Sequence, residues 1–200
     1  MKIKYLWILN FIVLIGCTTK NNNKDIKITG TTIYSEDAFS SPLQGSVYYE
    51  KDGQLKLYDS ILPTEPFSYV LSPENITKTI PFLDSINKKD CSDEYVQGSI
   101  ITYYIHNSYL KIFKNIENNN YIPIDFIILD KNITLRNGLK VGLARDVFNS
   151  IYPAAIKYNN LTEISIVDES EFTSINCFFQ EDTISKITFY DVEFQVCNIW

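Results

Sequence analysis

Apolar and polar positions divide the chain into stretches of different period. Residues 5–15 are an apolar run of eleven, broken only by Asn10 and preceded by Lys2 and Lys4. Residues 18–30 (TTKNNNKDIKITG) are polar and have no apolar period. From about residue 33 the pattern becomes β-like, and 14 Tyr and 12 Phe against 7 Gly favour strands. Residues 45–58 read as a hairpin in which an Asp52-Gly53 turn pairs Lys51 with Gln54 and Tyr48 with Leu57. Ser72-Pro73-Glu74 is a helix start, with a Ser cap, Pro at the first position and an acid in the first turn. Ile76, Ile80 and Leu83 follow at helical spacing, and Pro81 ends that helix.

Three strands are expected next, over 99–106, 109–116 and 121–129, with Asn118, Asn119 and Asn120 as the loop of a hairpin. Leu143, Val147 and Ile151 then form one stripe of a short helix that Pro153 ends. Strands over 161–167, 172–180 and 184–194 close the chain. In the last hairpin Ile175, Cys177 and Phe179 share a face, and Ile187 and Phe189 are the matching pair on the return strand. A side-chain period of two lets these sets meet only if Cys177 pairs with Ile187 and Ile175 with Phe189. A three-residue loop, Glu181-Asp182-Thr183, provides that register. The expected fold is α+β, antiparallel sheet with short helices, in a candidate tandem helix–three-strand repeat.

The apolar run ends in Leu14-Ile15-Gly16-Cys17, which resembles a lipobox. Eleven residues suit a signal peptide and fall short of the roughly 20 a spanning helix needs. The chain is thus similar to a bacterial lipoprotein precursor, against the alternative of an ordinary signal peptide with a chance cysteine. The resemblance implies cleavage after residue 16 and a diacylated Cys17 as the new N-terminus. Residues 1–16 are then the signal, 17–30 the lipidated Cys and tether, and 31–200 the body, with possible sub-units 31–130 and 131–200. The tether reaches about 45 Å extended and averages about 20 Å as a coil. Thr18, not Asp, follows Cys17. That favours the periplasmic face of an outer membrane over inner-membrane retention or the cell surface.

Losing Lys2 and Lys4 leaves 16 basic against 24 acidic residues, a balance of −8. Such a surface repels nucleic-acid phosphates and anionic lipid heads, so no nucleic-acid partner is expected and membrane contact falls to the lipid. With Cys17 acylated, Cys91, Cys177 and Cys197 remain, enough for one bridge and one thiol. Cys177 reads as a buried small hydrophobe. His106 is the single histidine, so a zinc site or a Cys-His pair is poorly supplied, and no cofactor or metal ligand set is expected.

Gly138-Leu-Lys-Val-Gly142-Leu-Ala-Arg-Asp-Val147 resembles the helix opening of small envelope lipoproteins of the SmpA/OmlA type and of β-lactamase-inhibitor-protein-like modules. Phe178-Phe179-Gln180, the Glu-Asp loop and Ile184-Ser-Lys-Ile-Thr-Phe189 are similar to the hairpin of that module. The resemblance spans about residues 135–192. It departs at Ala144, where Ser or Thr would cap the helix, and at Tyr152, where the module ends its helix with Gly. It implies a curved sheet presented to another protein, without chemistry of its own.

Catalytic patterns are sparse. Asp93/Glu94 and Glu169/Glu171 sit in polar stretches that read as loops, and His106 has no Gly-x-Ser-x-Gly elbow beside it. Along the strand holding it, Tyr103/Ile105 and Tyr104/His106 point opposite ways, and exposed Tyr is a good contact residue. Ser60, Ser85 and Thr183 lie in Asp-Ser/Thr-Ile tripeptides, which look like O-glycan acceptors of Bacteroidetes envelope proteins, although Asp and Ser are also common in turns. The function expected is a non-enzymatic, lipid-anchored binding or assembly module with a protein partner. An inhibitor or immunity protein with a single-sign acidic concave face is the alternative. A surface glycan-binding protein with a row of exposed aromatics is the third.

Overall fold

The computed structural model describes residues 45–51, 54–80, 82–92 and 97–191. The elements are β1 (Val47–Lys51), β2 (Gln54–Tyr58), α1 (Pro73–Thr79), β3 (Ser85–Ser92), β4 (Gln97–Ile105), β5 (Ser108–Asn115) and β6 (Tyr121–Ile128), followed by α2 (Arg145–Ile151), β7 (Glu163–Val167), β8 (Thr173–Gln180) and β9 (Thr183–Asp191). Among the described residues the strands join one nine-stranded sheet in the order β1-β2-β7-β8-β9-β6-β5-β4-β3. The β2–β7 pair is parallel and every other pair antiparallel. The protein is therefore mainly β, with few short helices. The meanders β4-β5-β6 and β7-β8-β9 meet through their last strands, β6 and β9, which makes the central order palindromic.

One face of this sheet carries the core. A continuous row runs across it from β2 to β4: Leu57, Ile166, Ile175, Phe189, Phe126, Leu110 and Tyr103. All of these are buried, with Leu62, Phe67 and Leu71 from the 59–72 loop, Ile76 of α1 and Phe148 of α2 packed among them. Phe126 stacks on Phe189 at 5.0 Å and meets the edge of Phe67 at 5.6 Å. Burial of a row of this size is the main stabilising term, at about 25 cal/mol per Å² of apolar surface removed from water.

The local signals of α1 act as expected. The Ser72 hydroxyl accepts the Asn75 N–H at 3.3 Å, Pro73 opens the helix, and Ile80 leaves helical geometry at φ −115°, ψ 89°. Lys51 pairs with Gln54, but Val47, not Tyr48, faces Leu57, because a bulge between Val47 and Tyr49 adds a residue to β1. The turn at 52–53, Pro81, the tether and Cys17 lie outside the described residues, as do Asp93/Glu94 and residues 192–194 of the last expected strand.

Other expectations need correction. The first unit has four strands, since β3 precedes the three expected. Its side chains are mostly exposed and polar on both faces, so no alternation marks it, and Lys88 and Lys89 guard the sheet edge. On α2, Leu143 and Ile151 of the expected stripe pack in part against the core, but Val147 is 45% exposed and the fully buried side chain is Phe148, in line with Tyr152. Both stripes have helical spacing, and the larger ring went inside, edge-on to Phe179 at 5.2 Å. A 3-10 helix, Pro153–Tyr158, then continues where a simple stop was expected.

The last hairpin keeps its expected register by a different route. Cys177 faces Ile187 and Ile175 faces Phe189. The turn, however, has two residues, Glu181 and Asp182, with φ 50° and 60°. Positive φ at both central positions is the type I′ signature. A bulge between Phe178 and Phe179 restores the register that this shorter turn would have shifted.

Candidate functional site: the uncovered sheet face

Among the described residues, helices and loops cover only the core face, so the alternate residues of the strands form a second face that none of these elements covers. One row there reads Tyr104, Tyr109, Ile127, Thr188, Asn176 and Ser165, from β4 to β7. The next reads Thr102, Lys111, Asp125, Tyr190 and Ser174. Tyr103 is fully buried while Tyr104 is 42% and Tyr190 40% exposed. The alternation read from the sequence thus holds, and Tyr104 is on the open side.

Hydrogen bonds lock the polar residues of this face. The Tyr109 hydroxyl donates to both Asp125 oxygens, at 2.9 and 3.0 Å, and Lys111 Nζ reaches Asp125 Oδ2 at 3.2 Å. Burial and the Asp125 carboxylate together push the Tyr109 phenol up, so it remains a donor. Ser165 Oγ donates to Asn176 Oδ1 at 2.6 Å. Lys186 Nζ sits 3.8 Å from the Phe178 ring centroid, and Lys56 pairs with Glu171. Lys111 is paired with Asp125 and Lys56 with Glu171, so the face is not acidic of a single sign.

A second feature gathers around His106 in the β4–β5 turn. His106 Nδ1 lies 2.7 Å from Asp130 Oδ2, and its backbone N–H donates to Asp84. The Asn132 backbone N–H donates to Asp130 and, with a smaller contribution from His106, holds that carboxyl below the usual range against the opposing effect of burial. His106, Asn107, Leu129, Asp130, Lys131 and Asn132 line a shallow depression of about 290 Å³. Ser108 Oγ accepts N–H bonds from Leu129 and Asp130 and is buried, so its hydroxyl is engaged by backbone and not by the imidazole. A sequence separation of 24 residues hid Asp130 from sequence reasoning.

Ser60, Ser85 and Thr183 are all exposed. They lie after β2, at the start of β3 and at the start of β9, so the fold does not bring them together. Thr183 Oγ1 donates to the Gln180 carbonyl at 3.0 Å. Asp59, beside Ser60, is a core residue: Oδ1 accepts the N–H groups of Ile61 and Leu62, and Oδ2 accepts the Tyr152 hydroxyl. Cys177 is buried and free, and burial pushes its thiol up to about 12. Cys91 is disulfide-bonded. Among the described residues no group of three His, Cys, Asp or Glu is placed to hold a metal ion, and no helix is long and apolar enough to cross a membrane.

Comparison with known proteins gives no relative to lean on: no family model matches the chain, and neither a curated protein nor a solved structure does.

Proposed function

We propose that this protein is a lipid-anchored cell-envelope binding module that docks a partner protein on its uncovered sheet face. The observation that carries the reading is the pair of half-exposed tyrosines, Tyr104 and Tyr190, flanking the Tyr109–Asp125–Lys111 cluster on a face that no helix among the described residues covers. Tyrosine gives amphipathic contact area at low side-chain entropy cost, and a pre-ordered polar cluster loses little freedom on binding. Cys17 supplies the anchor, on the periplasmic side of the outer membrane. A disulfide at Cys91 fits the oxidising compartment this requires.

The same reading takes the two meanders as a tandem repeat about the β6–β9 pair, and residues 135–192 as a module of the SmpA/OmlA type. Helix α2 followed by β7-β8-β9 supports it. Ala144 gives α2 no side-chain cap and Tyr152 ends it, which are its two departures from that pattern.

Capture from detergent-solubilised envelopes tests the docking face. Lipidated wild-type protein is expected to retain a stoichiometric partner that Tyr104→Ala/Tyr190→Ala loses and Val147→Ala/Ile156→Ala, on the helix side, retains. Equal retention by both double variants would remove the sheet face from the proposal. Between the remaining readings, aromatics set among Thr102, Thr188 and Asn176 favour a neutral glycan ligand over inhibition of a basic enzyme, because the face lacks a single-sign acidic field. Binding of neutral oligosaccharides that Tyr104→Ala abolishes would move the assignment there.

A further inference from the structure

Beside His106 the chain presents polar groups that its own fold does not use. The imidazole is held from two sides. Its Nδ1 lies 2.7 Å from Asp130 Oδ2, and its ring lies 5.8 Å from the Phe82 ring at 33°. Asp130 Oδ1 accepts the Asn132 backbone N–H at 2.8 Å, and the Asn132 side chain also bonds to this carboxyl. These bonds, with that from His106, hold the carboxyl below its usual range, so it is ionised at neutral pH. An ionised carboxylate only accepts, so Nδ1 carries the proton of the neutral ring and Nε2 keeps its lone pair. The side chain bearing that lone pair is 53% exposed. The backbone points the same way. His106 sits at φ 50°, where turn formation alone favours Gly or Asn.

Two more side chains at the depression have no hydrogen-bond or ion-pair partner among the described residues: the Lys131 ammonium and the Asn107 carboxamide, both on exposed residues. Asp84, the other carboxylate near the ring, is turned to the His106 backbone N–H. Leu129, 42% exposed, supplies an apolar patch. At about 290 Å³ the depression is at the small end of ligand sites, which suits a ligand of one sugar ring's size.

These groups select for different chemistry. An ammonium selects an anion. A ring-nitrogen lone pair repels a bare anion and accepts an O–H, while a carboxamide donates and accepts and so suits a further hydroxyl. A simple carboxylate would satisfy Lys131 alone, and a neutral sugar the other two alone. The geometry points to a binding site for a sugar acid: a uronic-acid residue whose carboxylate pairs with Lys131, whose hydroxyls bond His106 Nε2 and Asn107, and whose C–H face lies on Leu129. Asp130 and Phe82 position the imidazole. The site does not rest on the docking role of the sheet face.

His106 is the single histidine, so isotopically labelled histidine in the full chain reports on one imidazole by nitrogen NMR. Mildly alkaline pH keeps an imidazole neutral and a lysine charged. There the free protein is expected to show the Nδ1–H tautomer. Methyl glucuronide should shift Nε2 saturably, with methyl glucoside and acetate each binding about tenfold more weakly. Lys131→Ala should abolish the preference for glucuronide over glucoside, and Asn107→Ala should weaken both sugars. Both positions are exposed, so the fold is not at stake. An Nε2–H tautomer, no saturable shift with methyl glucuronide, or acetate binding as tightly as glucuronide overturns the site. So does an unchanged glucuronide preference in Lys131→Ala.

Discussion

The Tyr152 hydroxyl donates to Asp59 Oδ2 at 2.8 Å in the interior, joining the end of α2 to the turn after β2 across 93 residues of sequence. Asp59 is fully buried, and burial is the main reason the Tyr152 phenol is pushed up and stays protonated. Tyr152→Phe keeps the ring and removes one bond to a buried carboxylate. We expect a loss of about 1.5–3 kcal/mol, read from urea unfolding. A loss below about 0.5 kcal/mol would mean that the remaining donors to Asp59 suffice.

Phe148 and Val147 are neighbours on α2 with opposite fates, one fully buried and the other half exposed. Phe148→Ala should destabilise by about 3–5 kcal/mol through cavity formation. Val147→Ala should stay within about 0.5 kcal/mol. Equal effects in thermal or urea unfolding would contradict the orientation of the helix.

The carboxylate of Asp130 is held low, chiefly by the Asn132 N–H. A lowered folded pKa gives stability that is fully present above the unfolded value, about 3.9, and is lost as pH falls through the folded value. Wild type should therefore exceed Asp130→Asn in stability by a constant margin at neutral pH. The margin should shrink as the pH drops below about 4. A margin independent of pH down to the acid transition would refute the assignment.

Cys177 lies fully inside the sheet core, opposite Ile164 and Ile187. With its thiol raised to about 12, it should resist iodoacetamide at about pH 8 in the folded protein and react once denaturant unfolds it. Rapid native alkylation at this position would show that β8 opens locally.

Phe113 occupies the space a side chain at Gly98 would need, together with the Lys114 carbonyl. Gly98→Ala should cost about 1–3 kcal/mol by overpacking. Pairing it with Phe113→Leu should recover part of the loss, since the two substitutions share one contact. Strict additivity in a double-mutant cycle would deny that contact.

Much of the local structure was legible. The Ser72 cap, the Lys51–Gln54 closure, the Asn-rich loop before β6 and the Cys177–Ile187 pairing all follow from interactions within a few residues. Local reading failed where two patterns were equally good or no pattern existed. Both stripes of α2 had helical spacing, and β3 is polar on both sides because an edge strand needs little burial. The bulges in β1 and β9 were invisible for a related reason. Each inserts one residue to bring apolar sets into register, and that need arises only once the partner strand is in place.

The sequence by itself determined the strands, their turns and the alternation that sends Tyr103 and Tyr104 to opposite faces, because a period of two is a property of the backbone. Only the tertiary structure decided that Tyr103 is the buried one. The 59–72 loop, α1 and α2 settled on that side, and they could cover one face of the sheet. The same packing set the strand order through β6 and β9, brought Asp130 to His106 and Asp59 to Tyr152, and left a tyrosine-bearing surface facing outward. These are contacts between distant residues. Their partners are selected by which apolar surfaces exclude water together, and no local pattern encodes that choice.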